Sequence, residues 1–402
     1  MVRYSKWRIY KQTLVQHINK PMKIKLLNRC VAFMCIFLFC ACTETTSSTV
    51  SGLYPKNFKA EKHGQKTGLY ILKNDQGMEV CVTNYGGRVV SIMVPDNEGV
   101  LRDVVLGFDN VTDYMNIPSD FGASIGRFAN RIAQGRFTLD GTVYELPKNN
   151  FGHCLHGGPN GWQYKIYDVE KVTDNSITLV MHSPDGDESF PGTLTVKVTY
   201  CVTSEDALDI EYHATTDQPT VINMTNHSYF NLSGNPANKI LDHVLYVNAE
   251  CFTPVGRTLI PTGEMVPVAG TPMDFTVPKA IGADIDNTEY EQIRFGNGYD
   301  HNWVLDTGGD RGIVAATLFS PESGIKMDVY TNEPGIQVYS GNFLNGTVAG
   351  KQGIIYQQRA AICLETQHYP DSPNRPEWPT VVLRPGETYE SHCTYKFSTV
   401  TF

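Results

Sequence analysis

Apolar and polar positions along this 402-residue chain alternate with a period of two. The pattern is plain in SITLVMH (176–182), TLTVKVTYCV (193–202), ALDIEYH (207–213), KMDVYT (326–331) and SHCTYKF (391–397). Alternation of this kind, rich in β-branched and aromatic residues, predicts half-buried strands, because successive side chains of a strand point to opposite faces. No long amphipathic helical stretch competes. Turn-forming pieces such as Asp140-Gly141, Pro184-Asp185-Gly186-Asp187, Asn297-Gly298 and Arg384-Pro385-Gly386 punctuate the runs, and 35 Gly and 22 Pro are spread throughout. The chain therefore reads as all-β. Its length would allow two domains, yet no repeat and no Ser- or Pro-rich linker divides it beyond about residue 54, and β-sandwiches often reach this size as one unit.

Charge separates the first 42 residues from the rest. They hold Arg3, Lys6, Arg8, Lys11, Lys20, Lys23, Lys25 and Arg29 and no acid, so the remaining 360 residues keep 25 basic against 42 acidic side chains, a net of −17. A body of that charge repels nucleic acid. The uncharged run CVAFMCIFLFCA (30–41), preceded by basic residues and followed by a polar stretch, reads as an export signal. Twelve apolar residues fall short of a membrane span. Cys42 after Ala41 is similar to the lipidated cysteine of bacterial lipoproteins, and Met22 begins a more ordinary signal peptide than Met1. The expected organisation is a signal over 1–42, a polar linker over 43–60 and one folded domain over 61–402. The expected address is outside the cytoplasm, periplasmic or membrane-anchored, with membrane contact only through a lipid on Cys42.

With four cysteines assigned to the signal, Cys81, Cys154, Cys201, Cys251, Cys363 and Cys393 remain. They lie far apart, without the paired spacing of a zinc site or redox pair, so free buried thiols are expected. Five segments carry polar residues that a plain sandwich would not need. GRFANRIAQGRF (126–137) sets Asn130 and Arg131 among apolar neighbours, and LHGG places His156 before two glycines that let a ligand approach the backbone. Taken alone, those two read as a paired or snorkelling Arg and a surface His on a turn. NMTNHSYFNL (223–232) surrounds His227 with amides and hydroxyls that can hold one tautomer. GYDHNW (298–303) puts Asp300 beside aromatic rings, as in sugar sites. CLETQHYPD (363–371) lets Glu365 emerge from a buried apolar run, where desolvation raises a carboxyl pKa toward that of a useful base.

As an ordered set, NRI, LHGG, NHSYFNL, DHN and LETQ resemble the aldose 1-epimerases, the galactose mutarotase family, from about residue 68 to the C-terminus. The resemblance implies a large antiparallel β-sandwich and an open cleft that needs neither cofactor nor metal. It also implies an isomerase that interconverts the α and β anomers of free aldoses such as galactose and glucose. Carried over by motif, Glu365 is the general base, His227 the general acid and His156 a second active-site imidazole. Asn130, Arg131 and Asp300 hold sugar hydroxyls, and Gln337, in PGIQVYSGN, is a further substrate-binding amide. The chemistry suits these groups, since hemiacetal opening moves one proton off the anomeric hydroxyl and another onto the ring oxygen, each transfer gaining about 10²–10⁴ in rate. A glycoside hydrolase would want two carboxylates across the bond, a carbohydrate-binding module would need no acid/base pair, and a sugar-phosphate epimerase would need a basic cluster that the chain lacks.

Overall fold

In the computed structural model, which describes residues 48–400, the five alternating segments become Ser176–Ser183, Leu194–Val202, Ala207–Thr216, Ile325–Thr331 and Tyr389–Thr399. In the order 176, 194, 207, 389, 325 they are consecutive neighbours in one nine-stranded sheet, paired antiparallel throughout. The pleat explains the pattern: Leu194–Val202 is alternately buried and half-buried along all nine positions, so one face meets the core and the other meets water.

Two smaller sheets complete the sandwich. Four strands, Leu69–Lys73, Glu79–Thr83, Arg88–Pro95 and Leu101–Asp103, form one. The other runs in the order Val266–Pro267, Cys251–Thr253, Asp300–Val304, Gly335–Tyr339 and Cys363–Gln367. All three sheets feed one apolar cluster: Ile177, Val196 and Ile210 from the large sheet, Val82 and Ile92 from the four-stranded one, Trp303, Val338 and Leu364 from the five-stranded one. Burial of each such aliphatic side chain contributes about 1.5–3 kcal/mol, a reserve large enough to carry the polar groups that the five-stranded sheet also buries. Every residue of Gly335–Tyr339 and Cys363–Gln367 is buried. Ile336, Val338 and Leu364 face the core, and Gln337 and Glu365 occupy the other face.

The remaining expectations meet mixed outcomes. The only two α-helices among the described residues, Val111–Asn116 and Glu291–Gly296, are six residues each. All six body cysteines are free; Cys81, Cys154, Cys363 and Cys393 are buried, whereas Cys201 and Cys251 are half-buried. The signal run and Cys42 lie outside the described residues. In the stretch read as a polar linker, Leu53 and Phe58 are fully buried among Cys81, Tyr85 and Val90, and Val50 donates its N–H to Glu79 Oε1 at 2.8 Å. The described part of that linker therefore belongs to the folded body, docked by two apolar anchors that a mostly polar composition concealed.

One turn ties the sheets to the site. Gly122 has φ +67°, and a Cβ there would lie 1.8 Å from the carbonyl oxygen of Val89. Its own N–H donates to the carbonyl of His227 at 3.0 Å and its carbonyl accepts from Val89 N–H at 2.9 Å. Gly122→Ala is expected to lower unfolding stability by about 2–4 kcal/mol, read as a fall in the urea midpoint; an unchanged midpoint would show that the turn can relax.

Candidate active site

Backbone pairing, not proximity in the chain, assembles the site. In the five-stranded sheet Gln337 lies opposite Asn302 on one side and Glu365 on the other, and Asp300 lies opposite Tyr339. Opposed residues point to the same face, so Asp300, Gln337 and Glu365 emerge together. His227 ends the strand Thr225–His227, paired with Ala123–Ile125. Arg131 lies opposite Leu155 in a two-stranded ladder, which brings NRI and LHGG side by side. Asn130 and His156 both have left-handed backbone, φ +62° and +52°, and clasp each other: His156 N–H donates to the Asn130 carbonyl at 3.0 Å, and Asn130 N–H donates to His156 Nδ1 at 3.1 Å.

These elements enclose a cavity of about 240 Å³ lined by Asn130, Arg131, His156, His227, Asp300 and Glu365, together with Asp120, Asn150, Phe151, Leu155, Tyr229, Tyr339 and Phe343. At its floor His227 Nε2 stands 3.6 Å from Glu365 Oε1, with both side chains about 95% or more buried. The His227 ring stacks on Tyr229 at 5.0 Å and stands edge-on to His156 at 5.2 Å. Neither His227 Nδ1 nor Glu365 Oε2 has a hydrogen-bond partner in the protein, so each has unused bonding capacity in a place where unsatisfied polar atoms are costly. Arg131 donates from Nε to Asn150 Oδ1 at 3.0 Å and holds Nη1 3.9 Å from Asp300 Oδ2.

Burial sets the electrostatics. Desolvation drives the Glu365 carboxyl well above its ordinary range; Asp300 and Asp120 add to the rise and Arg131 opposes it. Desolvation pulls the His227 imidazole down, opposed first by Asp120. Two buried groups this close share protons as a unit, and both directions favour a neutral carboxyl beside a neutral imidazole over the ion pair. His156 is pushed down to about 3, again chiefly by desolvation. Because its Nδ1 accepts a backbone N–H, the ring proton sits on Nε2, and His156 presents a fixed donor to the cavity.

The motif residues thus converge, with two corrections. His156 is no surface turn residue: it is 7% exposed, and Gly157 after it serves backbone packing, since a Cβ there would lie 2.2 Å from the Gly126 carbonyl oxygen. Gln337 is not among the residues lining this cavity, although its Oε1, on the sheet face of Glu365, is likewise without a hydrogen-bond partner in the protein. Its Nε2 donates to Asp300 Oδ1 at 2.7 Å. Sequence reading missed Asp120, Asn150, Phe151, Tyr229, Tyr339 and Phe343 as lining residues; Tyr229 and Tyr339 lay inside quoted motifs, whereas Asp120 carried no motif signal. Asp120, His156 and His227 also place ligand-type atoms within 4.8 Å of one another, the one such grouping among the described residues. The donor set does not suit a metal as it stands, since His156 offers an N–H and not a lone pair.

Residues 68–396 match the aldose 1-epimerase family. Galactose mutarotase of Mus musculus is 41% identical over 329 residues, covering 82% of this chain and 93% of that protein. Aldose 1-epimerase of Escherichia coli K12 is 38% identical over 338 residues, covering 83% and 96%. The crystal structure of an aldose epimerase homologue from C. elegans superposes with a TM-score of 0.78 at 32% identity, covering 83% of this chain and all of that one. With its antiparallel sheets and its motif residues gathered round one cavity, the chain belongs to the aldose 1-epimerase family of isomerases.

Proposed function

We propose that the protein interconverts the α and β anomers of free aldohexoses such as galactose and glucose. The observation that carries this reading is the 3.6 Å approach of a buried imidazole to a buried carboxylate at the floor of a sugar-sized cavity. The two oxygens that exchange protons during ring opening, the anomeric hydroxyl and the ring oxygen, are bonded to the same carbon. A base and an acid serving them must therefore be near neighbours, as His227 and Glu365 are.

The step then follows. Glu365 as carboxylate takes the proton of the anomeric hydroxyl while protonated His227 gives its proton to the ring oxygen; the C1–ring-oxygen bond breaks and the C1 oxygen becomes an aldehyde. One proton has passed through the sugar from imidazole to carboxylate. Rotation about C1–C2 presents the other face of the aldehyde, and reversal of both transfers closes the ring as the opposite anomer. The pair keeps one proton throughout, so the enzyme returns to its starting state. The tendency of the buried pair toward neutrality offsets the cost of opening the sugar, since the open form coincides with the uncharged pair. His156, held neutral with Nε2–H inward, donates to a sugar oxygen without entering the proton exchange. Arg131 and Asp300 fix hydroxyls away from C1, with Asn150 and Gln337 holding those two in turn, so that only the reacting end rotates. The rings of Tyr229, Tyr339 and Phe343 supply apolar cover.

A glycoside hydrolase reading fits less well, because the group beside Glu365 is an imidazole and not a second carboxylate. Release of reducing sugar from oligosaccharides would favour the hydrolase, and sugar binding without faster anomer exchange would favour a binding module. The proposal extends to an exported enzyme anchored through a lipid on Cys42; Cys42→Ser is expected to move the protein from the membrane to the soluble fraction, and persistence at the membrane would remove the lipid.

Polarimetry on freshly dissolved α-galactose and α-glucose tests the chemistry. Glu365→Gln is expected to cut kcat by about 10²–10⁴ with KM within a few-fold, and a wild-type rate would exclude Glu365 as base. His227→Asn should lose a similar factor and also its alkaline limb, because an acid works only below its pKa; a retained limb assigns the proton elsewhere. Asp300→Ala should instead raise KM by about ten-fold or more, and a fall in kcat alone would contradict a binding role.

A further inference from the structure

Asp120 belongs to none of the motifs, yet the fold builds a rigid seat for it. Buried Arg88 donates to the carbonyls on either side, Nη1 to Phe121 at 2.9 Å and Nη2 to Ser119 at 2.9 Å. A third bond from Nη2 reaches the Gln163 carbonyl at 2.8 Å. Asp120 then opens the turn closed by Ala123 N–H to its carbonyl at 3.0 Å, and Ala123 is the residue paired with His227. Within the turn Gly122 is bonded to the His227 carbonyl, and Asn226 Nδ2 donates to the Gly122 carbonyl at 3.0 Å. The ladder that places His227 therefore also places Asp120. Its carboxylate comes within 4.8 Å of ring nitrogens of both His156 and His227, and its Oδ1 is buried without a hydrogen-bond partner in the protein.

We propose that Asp120 is a positioning residue for ring opening: held over the two imidazoles by this pinned turn, its carboxylate stabilises the protonated form of His227 and so raises the share of the closed-ring state in which the imidazole holds the proton. This rests on the acid–base reading above. The groups that face His227 are Glu365 and Asp300 from the five-stranded sheet, Tyr339 beside them, Tyr229 stacked on the ring, His156 and Arg131 from the NRI–LHGG ladder, Arg88 beneath the turn and Asp120. Of these charges, Asp120 opposes the burial of His227 most strongly. Since His156 is locked neutral by the backbone of Asn130, the imidazole left for Asp120 to charge is that of His227. Glu365 Oε1 alone would compete poorly, because it must stay free to accept the anomeric proton. A carboxylate on the imidazole side biases the single proton toward the acid, as an opposite charge within about 4–6 Å commonly shifts a pKa by 1–3 units.

The full-length mature enzyme carrying Asp120→Asn or Asp120→Glu tests this by two readouts. Histidine-labelled protein gives the NMR titration of His227, assigned by its loss in His227→Asn, and polarimetry gives kcat and KM against pH. In Asp120→Asn the His227 titration and the alkaline limb of kcat are both expected to move down by about one pH unit. The sign follows from removing a negative charge beside a cationic acid. kcat at neutral pH should fall about ten-fold with KM within about three-fold, and Asp120→Glu should restore the wild-type limb. Unmoved titration would overturn the proposal, as would a raised KM with an unmoved profile, which would make Asp120 a sugar contact. A titration shift without the kinetic shift overturns it as well. Loss of acceleration in the wild type would instead strike the mutarotase reading, and the NMR shift alone would then decide whether Asp120 charges His227.

Discussion

Two ionisable side chains, Glu365 and His227, meet at 3.6 Å where almost no water reaches them. In such a place neither charge is cheap, and the pair settles its protonation jointly. Everything around it follows from that constraint. Arg131 opposes the neutralisation of Glu365 and Asp120 opposes that of His227, while desolvation outweighs both and leaves the neutral pair favoured.

Holding that pair in place requires a scaffold that does not yield. The five-stranded sheet supplies it on one side by burying both faces of Gly335–Tyr339 and Cys363–Gln367. The short pairing of Ala123–Ile125 with Thr225–His227 supplies it on the other. Left-handed residues tighten the joints: Asn130 and His156 adopt that conformation to exchange hydrogen bonds, and Gly122 adopts it where no Cβ would fit. Such backbone costs free energy that the surrounding packing must exceed, and the shared apolar core of the three sheets provides it. Few lining side chains are free to rearrange: Asn150 fixes Arg131, Gln337 fixes Asp300, and Tyr229 stacks on His227.

The two histidines show how local bonding divides roles between like groups. Both are buried and lie edge to face. One has its Nδ1 lone pair committed to a backbone N–H and is left as a donor; the other has a carboxylate at one nitrogen and no protein partner at the other. Residue type alone could not separate them.

The period of two in 176–182, 193–202, 207–213, 326–331 and 391–397 determined the large sheet, because each of those strands has one wet face that the sequence must mark with polar residues. The site strands Gly335–Tyr339 and Cys363–Gln367 have no wet face, so their polar residues mark chemistry, and motifs found them where periodicity did not. The motifs also gave Glu365, His227, His156, Asn130, Arg131 and Asp300, all of which share one cavity. What the sequence left open depended on neighbours far along the chain. Gln337 is bonded to Asp300, Leu53 and Phe58 anchor a stretch that read as linker, and Asp120 reaches the imidazoles through Arg88 and the Gly122 turn. A side chain's residue type sets which bonds it can make, but strand register and burial decide which partners it meets and at what protonation. Those two quantities exist only once the sheets have closed.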